Sequence, residues 1–257
     1  MLQSLYLCLT YSFLLCMSEK RPLISIITVT YQAAQTLDQA IQSVVVQEPV
    51  YELIVIDGGS TDDTVSIIQK WENSISYWVS EPDKGIYDAM NKGVRQASGC
   101  WIYFLGADDQ LAPGILATLQ PTLLASSAVL LYGDVQYDYG KYFRSAFGPK
   151  TYLHNTIHHQ ATFYRNTLFD QFSYDASLKI IADYELNLIV YLNKLPHQYL
   201  NQVVAICAGG GSSYDVQLSL HETNQVRGKH VKGVVNLLLN QLLAAKYFVS
   251  YVLLRKV

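Results

Sequence analysis

Residues 101–109 read WIYFLGADD, and this stretch decides the fold. Five apolar or aromatic residues in succession predict a buried strand that ends at the Gly-Ala step. Asp108 and Asp109 would then lie at the carboxyl end of this strand, where open α/β sheets bind their ligands. Two adjacent carboxylates repel each other, so a divalent cation that carries a phosphate is the partner we expect. The alternative is a solvated turn after the strand.

The segments before this strand alternate between short apolar runs and helical patterns. Strands are predicted at residues 23–30, 53–57 and 75–79. Helices are predicted from residue 36 to about 46, from the Gly-Gly-Ser-Thr turn at 58–61 to about 71, and from 84 to about 96. Since the strands are apolar throughout and alternate with helices, the fold class is α/β with a parallel, doubly wound sheet.

The pattern changes from about residue 129 onward. Strands are predicted at residues 128–134 and 135–147, with a hairpin turn at 137–140. A helical segment follows at 178–193 and a further strand at 198–207. This half therefore predicts a small antiparallel or mixed extension of the sheet.

Composition and missing motifs narrow the function. The chain of 257 residues is 50% hydrophobic and 15% charged, and such an apolar protein often touches a membrane. Its formal net charge of -3 gives no basic field, so we expect no nucleic acid as a partner. The chain has neither a dinucleotide-binding glycine motif after the first strand nor a P-loop, so phosphates must be neutralised in another way. Carboxylates that hold a metal ion would do this.

Both ends of the chain are apolar. Residues 1–17 lack the positive start and cleavage site of a signal peptide and are short for a membrane span. We interpret residues 1–16 as the product of an upstream start assignment, with an N-terminal anchor as the alternative. Residues 234–254 are interrupted by polar side chains, which favours either an amphipathic helix lying on an anionic bilayer or a buried terminal helix.

Four segments of the first half together resemble the family-two glycosyltransferases, in particular bacterial surface-polysaccharide enzymes of the colanic-acid kind. They read ISIITVTY at 24–31, VIDGGSTD at 55–62, EPDKGIYDAMNKG at 81–93 and FLGADD at 104–109. Each motif is weak alone, but the four in this order are specific. HQATFYR at 159–165 and ADYEL at 182–186 match the acceptor side of the family more loosely.

The resemblance implies the GT-A fold, a Rossmann-like, mostly parallel sheet flanked by helices. Residues 17–127 would be the nucleotide-sugar-binding half and residues 128–232 the acceptor-binding and catalytic half. Residues 233–257 would form an apolar C-terminal helix, and residues 1–16 an extension or upstream start.

The resemblance also implies roles for five side chains in a donor site. Tyr31 would stack on the base of a nucleotide-sugar donor, and Asp57 would hydrogen-bond that base or its ribose. Asp83 would hold the nucleoside. Asp108 would contact the ribose or the metal, and Asp109 would bind a Mg²⁺ or Mn²⁺ that bridges the diphosphate.

Two positions depart from the commonest pattern of the family. Gly58 stands where many members have a second aspartate, and Gln32 where many have asparagine. The first departure leaves the contact to the base, and hence the choice of nucleotide, open.

Asp183 is implied to be the general base of the reaction. The residues around it agree, because Ile180, Ile181 and Leu186 would bury its helix and leave the carboxylate at a cavity wall. A carboxylate in such a place can take the proton of an attacking hydroxyl. The alternative is a helix-start aspartate that accepts hydrogen bonds from backbone amides.

One histidine and three basic side chains complete the predicted site. Each has an alternative interpretation without a role in the site. Because His158 and His159 are adjacent, only one can face a site in regular structure, and the resemblance selects His159 for acceptor or phosphate contact. Lys84 would reach the diphosphate, or it is an exposed surface lysine. Arg227, with Lys229, would close over the diphosphate as a lid, or these residues form a solvated helix face.

These features predict an inverting, metal-dependent glycosyltransferase. It would move a sugar from a nucleotide diphosphate to a hydroxyl of a saccharide or lipid-linked saccharide in surface-polysaccharide biosynthesis. We expect a cytoplasmic protein, peripheral at the inner face of the membrane. Two alternatives stay open: a polyprenyl-phosphate glycosyltransferase, whose acceptor needs no strong base, and a nucleotide-sugar-binding protein without turnover.

Overall fold

The computed structural model describes residues 21–48, 51–209, 215–231 and 233–249. Residues 1–16, for which we predicted an upstream start or an anchor, lie outside the described residues. The strands of the described part are β1 (Ile24–Thr30), β2 (Tyr51–Asp57), β3 (Tyr77–Ser80), β4 (Trp101–Gly106), β5 (Gln110–Leu111), β6 (Leu130–Tyr137), β7 (Tyr142–Phe143), β8 (Thr162–Arg165) and β9 (His197–Cys207).

The helices of the described part are α1 (Leu37–Val45), α2 (Thr64–Lys70), α3 (Ile86–Gln96), α4 (Ile115–Ala125), α5 (Ala182–Leu192), α6 (Val216–His230) and α7 (Val234–Phe248). Five of these seven helices correspond to predicted ones, and α4 and α6 were not predicted. In α1 the apolar side chains recur at helical spacing, and the buried ones are Leu37, Ala40, Ile41 and Val44. Burial of one such stripe against the sheet stabilises each helix far more than its intrinsic propensity does.

The first half forms the predicted parallel sheet. β1 lies between β2 and β4, β3 flanks β2, and all three pairings are parallel. The register aligns the strand ends, since Thr30 pairs with Asp57, Asp57 with Ser80, and Val29 with Gly106. The carboxyl ends of these strands therefore share one edge of the sheet, which is where ligands bind in open α/β folds.

The second half continues the same sheet with mixed pairing, as predicted. The strand order is β3-β2-β1-β4-β8-β6-β9-β5, with β7 paired to β6. β8 is antiparallel to β4 and to β6, whereas β9 is parallel to β6. This arrangement brings the chain at residues 154–160 and the start of α5 beside the carboxyl end of β4.

Helix α7 packs on the body of the protein through a polar face. Asn236 and Asn240 point inward and bind Arg227 of α6, and Leu243 is the one fully buried side chain within α7. Most of its other apolar side chains are exposed, which contradicts the alternative of a buried terminal helix for the described part of α7. No helix in the described ranges combines the length and hydropathy needed to cross a bilayer.

Candidate active site

The two acidic residues after β4 face a common space. A Cβ atom at Gly106 would lie 2.9 Å from Asp108 Oδ1 and in contact with Asp109 Oδ2. The carboxylate oxygens thus converge over the space that glycine leaves open. The alternative of a merely solvated turn fits Asp108, which is exposed, but not Asp109, which is 3% exposed.

Asp109 is held in place by uncharged donors. Gln160 donates from Nε2 to Asp109 Oδ2 at 2.8 Å, and the backbone N–H of Ala208 donates to Oδ1 at 3.0 Å. Burial raises the pKa of Asp109, and the neighbouring charge of Asp108 raises it further. The described residues around this pair therefore leave negative charge that a bound cation would compensate.

A cavity of about 760 Å³ opens above the strand ends. Its walls come from the ends of β1 and β4, the start of α3, residues 154–160 and the start of α5. Five of the predicted site residues line it: Tyr31, Asp108, Asp109, His159 and Asp183. The tertiary structure thus brings the acid pair and the predicted base into one space.

Asp183 lies at the wall of this cavity and is 5% exposed. Tyr87 donates from its hydroxyl to Asp183 Oδ1 at 3.3 Å, and Asn155 donates from Nδ2 to Oδ2 at 2.7 Å. His159 Nδ1 lies 3.7 Å from Oδ2. The hydrogen-bond donors to this carboxylate within the described structure are neutral side chains rather than backbone amides, contrary to the helix-capping alternative.

A chain of buried amides fixes the orientation of Asn155. Tyr164 donates from its hydroxyl to Asn187 Oδ1 at 3.0 Å, and Asn187 Nδ2 donates to Asn155 Oδ1 at 3.0 Å. Because Asn155 Oδ1 is already an acceptor, its Nδ2 must turn to Asp183. Sequence reasoning missed Asn155, Asn187 and Tyr87 as partners of the base. Tyr87 does lie within one of the quoted motifs, but the other two carry no local signal.

The histidine prediction was half right. His159 lines the cavity as expected, but so does His158, because both sit at a 3₁₀ turn rather than in regular structure. Burial, and next the charge of His159, lower the pKa of His158 to about 4. Within the described ranges, its buried Nδ1 and the buried Oε1 of Gln160 form no hydrogen bond of good geometry, although the Gln160 side chain is near enough to act on the pKa of His158. Both atoms belong to residues that line the cavity.

The remaining donor-site residues lie beside the cavity rather than in its lining. Asp57 is fully buried, and its carboxylate accepts from Ser60 and Ser80 and from the N–H of Gly59, which shapes the loop after β2. A Cβ at Gly58 would come within 2.6 Å of Asp83 Oδ2. The absence of a side chain at Gly58 therefore makes room for the carboxylate of Asp83. The Tyr31 ring borders the same space, since it would lie 3.4 Å from that Cβ.

The two basic side chains predicted to contact the diphosphate, Lys84 and Arg227, differ in burial. Lys84 is exposed and lies outside the cavity lining, so its contact with a diphosphate stays a prediction. Arg227 contradicts our expectation of a mobile lid, because its side chain is fully buried. Its guanidinium donates to the carbonyl of Leu153 at 2.8 Å and to side chains of α6 and α7. Arg227 therefore fastens two helices to the body of the protein.

A sheet of this kind, with an acid pair at a strand end and a carboxylate across the same cavity, is typical of an α/β enzyme whose site lies at the carboxyl edge of the sheet. Residues 25–178 match the family model described as Glycosyl transferase family 2, and the chain belongs to this family. It is 32% identical over 197 residues to the PGL/p-HBAD biosynthesis glycosyltransferase of Mycobacterium bovis, covering 72% of this chain and 76% of that protein. The chain is thus a glycosyltransferase, as the sequence predicted.

Two solved structures share the fold. Residues 1–349 of TarS from S. aureus, in complex with UDP-GlcNAc, match with a TM-score of 0.69 and 17% identity over 88% of this chain and 72% of that fragment. The mannosyltransferase PcManGT from Pyrobaculum calidifontis, in complex with GDP-Man and Mn²⁺, matches with a TM-score of 0.64 and 15% identity over 97% of this chain and 80% of PcManGT. At such low identity the likeness concerns the fold, and the predicted GT-A fold is confirmed.

Proposed function

We propose that this glycosyltransferase is inverting and metal-dependent. It moves a sugar from a nucleotide diphosphate to a hydroxyl of a saccharide or lipid-linked saccharide, in the biosynthesis of a surface polysaccharide. The observation that carries the proposal is the placement of Asp108, Asp109 and Asp183 around one cavity. Donor diphosphate and acceptor hydroxyl would thereby meet between the acid pair and the base.

The acid pair suits a divalent cation, Mg²⁺ or Mn²⁺. Its oxygens converge over Gly106, and burial, followed by the charge of Asp108, raises the pKa of Asp109. Among the described residues no group of three or more His, Cys, Asp or Glu could hold a metal. Asp108 and Asp109 would therefore share it with oxygens of the donor, and it would act as a Lewis acid on the diphosphate. The complex of PcManGT with GDP-Man and Mn²⁺ supports this assignment.

The nucleoside would lie at the Tyr31 side of the cavity. The Tyr31 side chain is 64% exposed and presents a ring on which a base can stack. The carboxylate of Asp83 and this ring both border the space at Gly58. Asp83 would accept a hydrogen bond from the ribose or the base. Asp57 would act through the loop that it holds, which is a more indirect role than the sequence suggested.

The transfer itself follows from the position of Asp183. Asp183 takes the proton of the acceptor hydroxyl as its oxygen forms a bond to the anomeric carbon of the sugar. The bond from that carbon to the diphosphate breaks in the same step, and its electron pair stays on the diphosphate oxygen. One displacement inverts the anomeric configuration. The neutral donors Tyr87 and Asn155 orient the carboxylate while leaving it able to accept the proton.

Thermal shift with a panel of nucleotide sugars, with and without Mn²⁺, tests the donor site, because a ligand of the native state raises apparent stability. We expect one UDP- or GDP-sugar to stabilise the protein in the presence of Mn²⁺. Asp109→Asn should lose this shift. Asp183→Asn should keep the shift but lose transfer.

A chain that binds the donor but transfers to none of a panel of hydroxyl and lipid-phosphate acceptors would be a binding protein instead. Transfer by Asp183→Asn at the wild-type rate would remove Asp183 from the mechanism, and a lipid phosphate as the acceptor in that case would favour the polyprenyl-phosphate alternative. No metal-dependent binding of any nucleotide sugar would overturn the proposal as a whole.

A further inference from the structure

Helix α7 is amphipathic, but its polar side faces the protein and its apolar side faces outward. Its polar side chains Asn236 and Asn240 turn toward the protein, where they grip the buried Arg227. Its outward side is a large apolar surface, which we call the α7 face. The members of the α7 face are Val234, Val235, Leu237, Leu238, Leu242, Phe248 and Val249, which are 43–71% exposed. An exposed apolar patch of this extent marks an interaction surface.

The charge of the C-terminal region indicates what the α7 face contacts. None of the 21 acidic residues and six of the 18 basic residues of the chain follow Glu222. Arg227 and Lys229 are engaged within the protein by hydrogen bonds and ion pairs. The other four basic residues are Lys232, Lys246, Arg255 and Lys256. An apolar face within a stretch of sequence that carries basic residues and no acidic ones matches an anionic bilayer.

A second copy of the chain fits this surface less well. Pairing two α7 faces would bring two equally basic C-terminal regions together, and their like charges would oppose association. An anionic bilayer instead gains from both features, because it buries the apolar side chains and attracts the lysines.

The cavity opens beside the end of α7. Tyr247 of α7 and His154 both line the cavity, and Lys246 Nζ lies 2.9 Å from His154 Nε2. Burial lowers the pKa of Lys246, and the charge of the nearby, exposed Lys150 lowers it further. The rim of the cavity on this side is therefore basic and adjoins the apolar face.

We propose that the α7 face seats the protein on an anionic phospholipid bilayer and so holds the cavity mouth at the membrane surface. The hydrocarbon of a lipid-linked acceptor then stays in the bilayer while its saccharide enters between Asp183 and the acid pair. This part rests on the proposed function, whereas bilayer binding does not.

Flotation of the full chain with vesicles tests the docking. We expect binding to vesicles of phosphatidylcholine mixed with phosphatidylglycerol and much weaker binding to phosphatidylcholine alone. The double variant Leu238→Ser/Leu242→Ser should bind the anionic vesicles at least about tenfold more weakly, because two buried leucine side chains are lost. A matched control is Val46→Ser/Leu124→Ser, which alters exposed apolar residues at the end of α1 and on α4 and should bind like the wild type.

Three outcomes would overturn the docking: no binding of the wild type, equal binding of the α7 double variant, or a wild-type dimer in ultracentrifugation that this variant dissolves. Binding only after deletion of residues 2–16 would likewise overturn it, since the N-terminal segment would then be the occupant of the α7 face. Thermal shift with nucleotide sugar and Mn²⁺ separates the two proposals, because the double variant should respond as the wild type does. Transfer to a lipid-linked acceptor on vesicles should fall in this variant, while transfer to a water-soluble acceptor should not.

Discussion

The two carboxylates in the first turn of α5 have similar burial and opposite surroundings. Asp183 is 5% exposed and Glu185 8% exposed. Asp183 faces the cavity and receives hydrogen bonds from the neutral side chains of Tyr87 and Asn155. Glu185 faces away from it and is bound by Lys229 at 3.1 Å and His230 at 2.8 Å.

This difference separates chemistry from structure on one helix. A carboxylate that is paired with cations has its charge committed to the fold, and taking up a proton would break those pairs. A carboxylate that is oriented by neutral donors keeps the capacity to accept a proton from a ligand. Burial alone does not distinguish the two, and their partners do.

The largest effect should appear when the two acids are neutralised in turn. Asp183→Asn should lower kcat about 10²- to 10⁴-fold, the usual contribution of a general base. Glu185→Gln should change kcat less than about threefold, because it faces away from the cavity. Initial rates of sugar transfer at saturating donor measure both. Equal losses in the two variants would contradict the contrast between the two acids.

The two sides of α5 also differ in their histidines. His230 pairs with Glu185, whereas His158 is buried at the cavity with its pKa lowered to about 4 from 6.5. Above pH 6.5 this imidazole is neutral in both the folded and unfolded states. Between pH 6.5 and 4 the unfolded state takes up a proton that the folded state refuses, so the free energy of unfolding falls, by up to about 3 kcal/mol.

Denaturant unfolding of His158→Gln and of the wild type between pH 7.5 and 4.5 checks this titration. The free energy of unfolding of the variant should depend less on pH than that of the wild type. As the pH falls, the variant should therefore lose less stability than the wild type does. His221→Gln is the control, because His221 is exposed and its replacement should leave the pH slope unchanged. Parallel slopes for wild type and His158→Gln would show that the buried imidazole is not responsible.

The amide that orients Asp183 should have a smaller effect on the rate. Asn155→Ala removes a donor to the carboxylate, and we expect kcat to fall about tenfold, as for the loss of one hydrogen bond to a charged group. The acidic limb of the pH–rate profile reports whether this bond acts on the reacting carboxylate, and we expect the substitution to move that limb.

A purely structural role for Asn155 would lower stability without moving this limb. Asn193→Ala serves as the matched control, because the amide of Asn193 is exposed and bonds within its own helix. It should leave both kcat and the pH profile as they are.

The smallest effect should come from the outward side of α5. Glu185→Gln removes the acceptor charge from the hydrogen bonds with Lys229 and His230 and should destabilise the fold by about 1 kcal/mol. Lys229 keeps its other partner, Asp175, at 2.9 Å. Denaturant unfolding at neutral pH measures the loss. Two outcomes would contradict a structural role for Glu185: a loss of several kcal/mol in the free energy of unfolding, or an unchanged free energy of unfolding together with a fall in kcat.

The sequence was most informative where local pattern and strand order coincide. The apolar runs predicted β1, β2, β3 and β4 to within a few residues. For β1 and β4 the reason is that a strand buried on both faces has few polar positions, whereas β3 is a partly exposed edge strand. Parallel pairing then sets the carboxyl ends on one edge, so the strand pattern alone assigns Asp108 and Asp109 to that edge. Residues 182–186 read ADYEL, and the role of Asp183 as the base was implied by the resemblance.

The sequence failed where a side chain depends on distant partners. Arg227 looked like a free cation after a glycine-rich loop, yet α7 and the carbonyl of Leu153 enclose it. His158 was set aside by an argument from regular structure that a 3₁₀ turn does not obey. The loop-holding role of Asp57 depends on Ser80, which lies on the neighbouring strand.

By itself, then, the sequence determined the parallel sheet, the acidic end of β4 and the family, because these follow from local periodicity and short motifs. Only the tertiary structure decided which carboxylate of α5 meets the cavity and which way α7 turns its apolar side. The donors to Asp183 lie 28 and 96 residues away in the chain. The inward turn of Asn236 and Asn240 is set by a buried guanidinium on another helix. Contacts between segments so far apart are fixed by packing, and no local pattern records them.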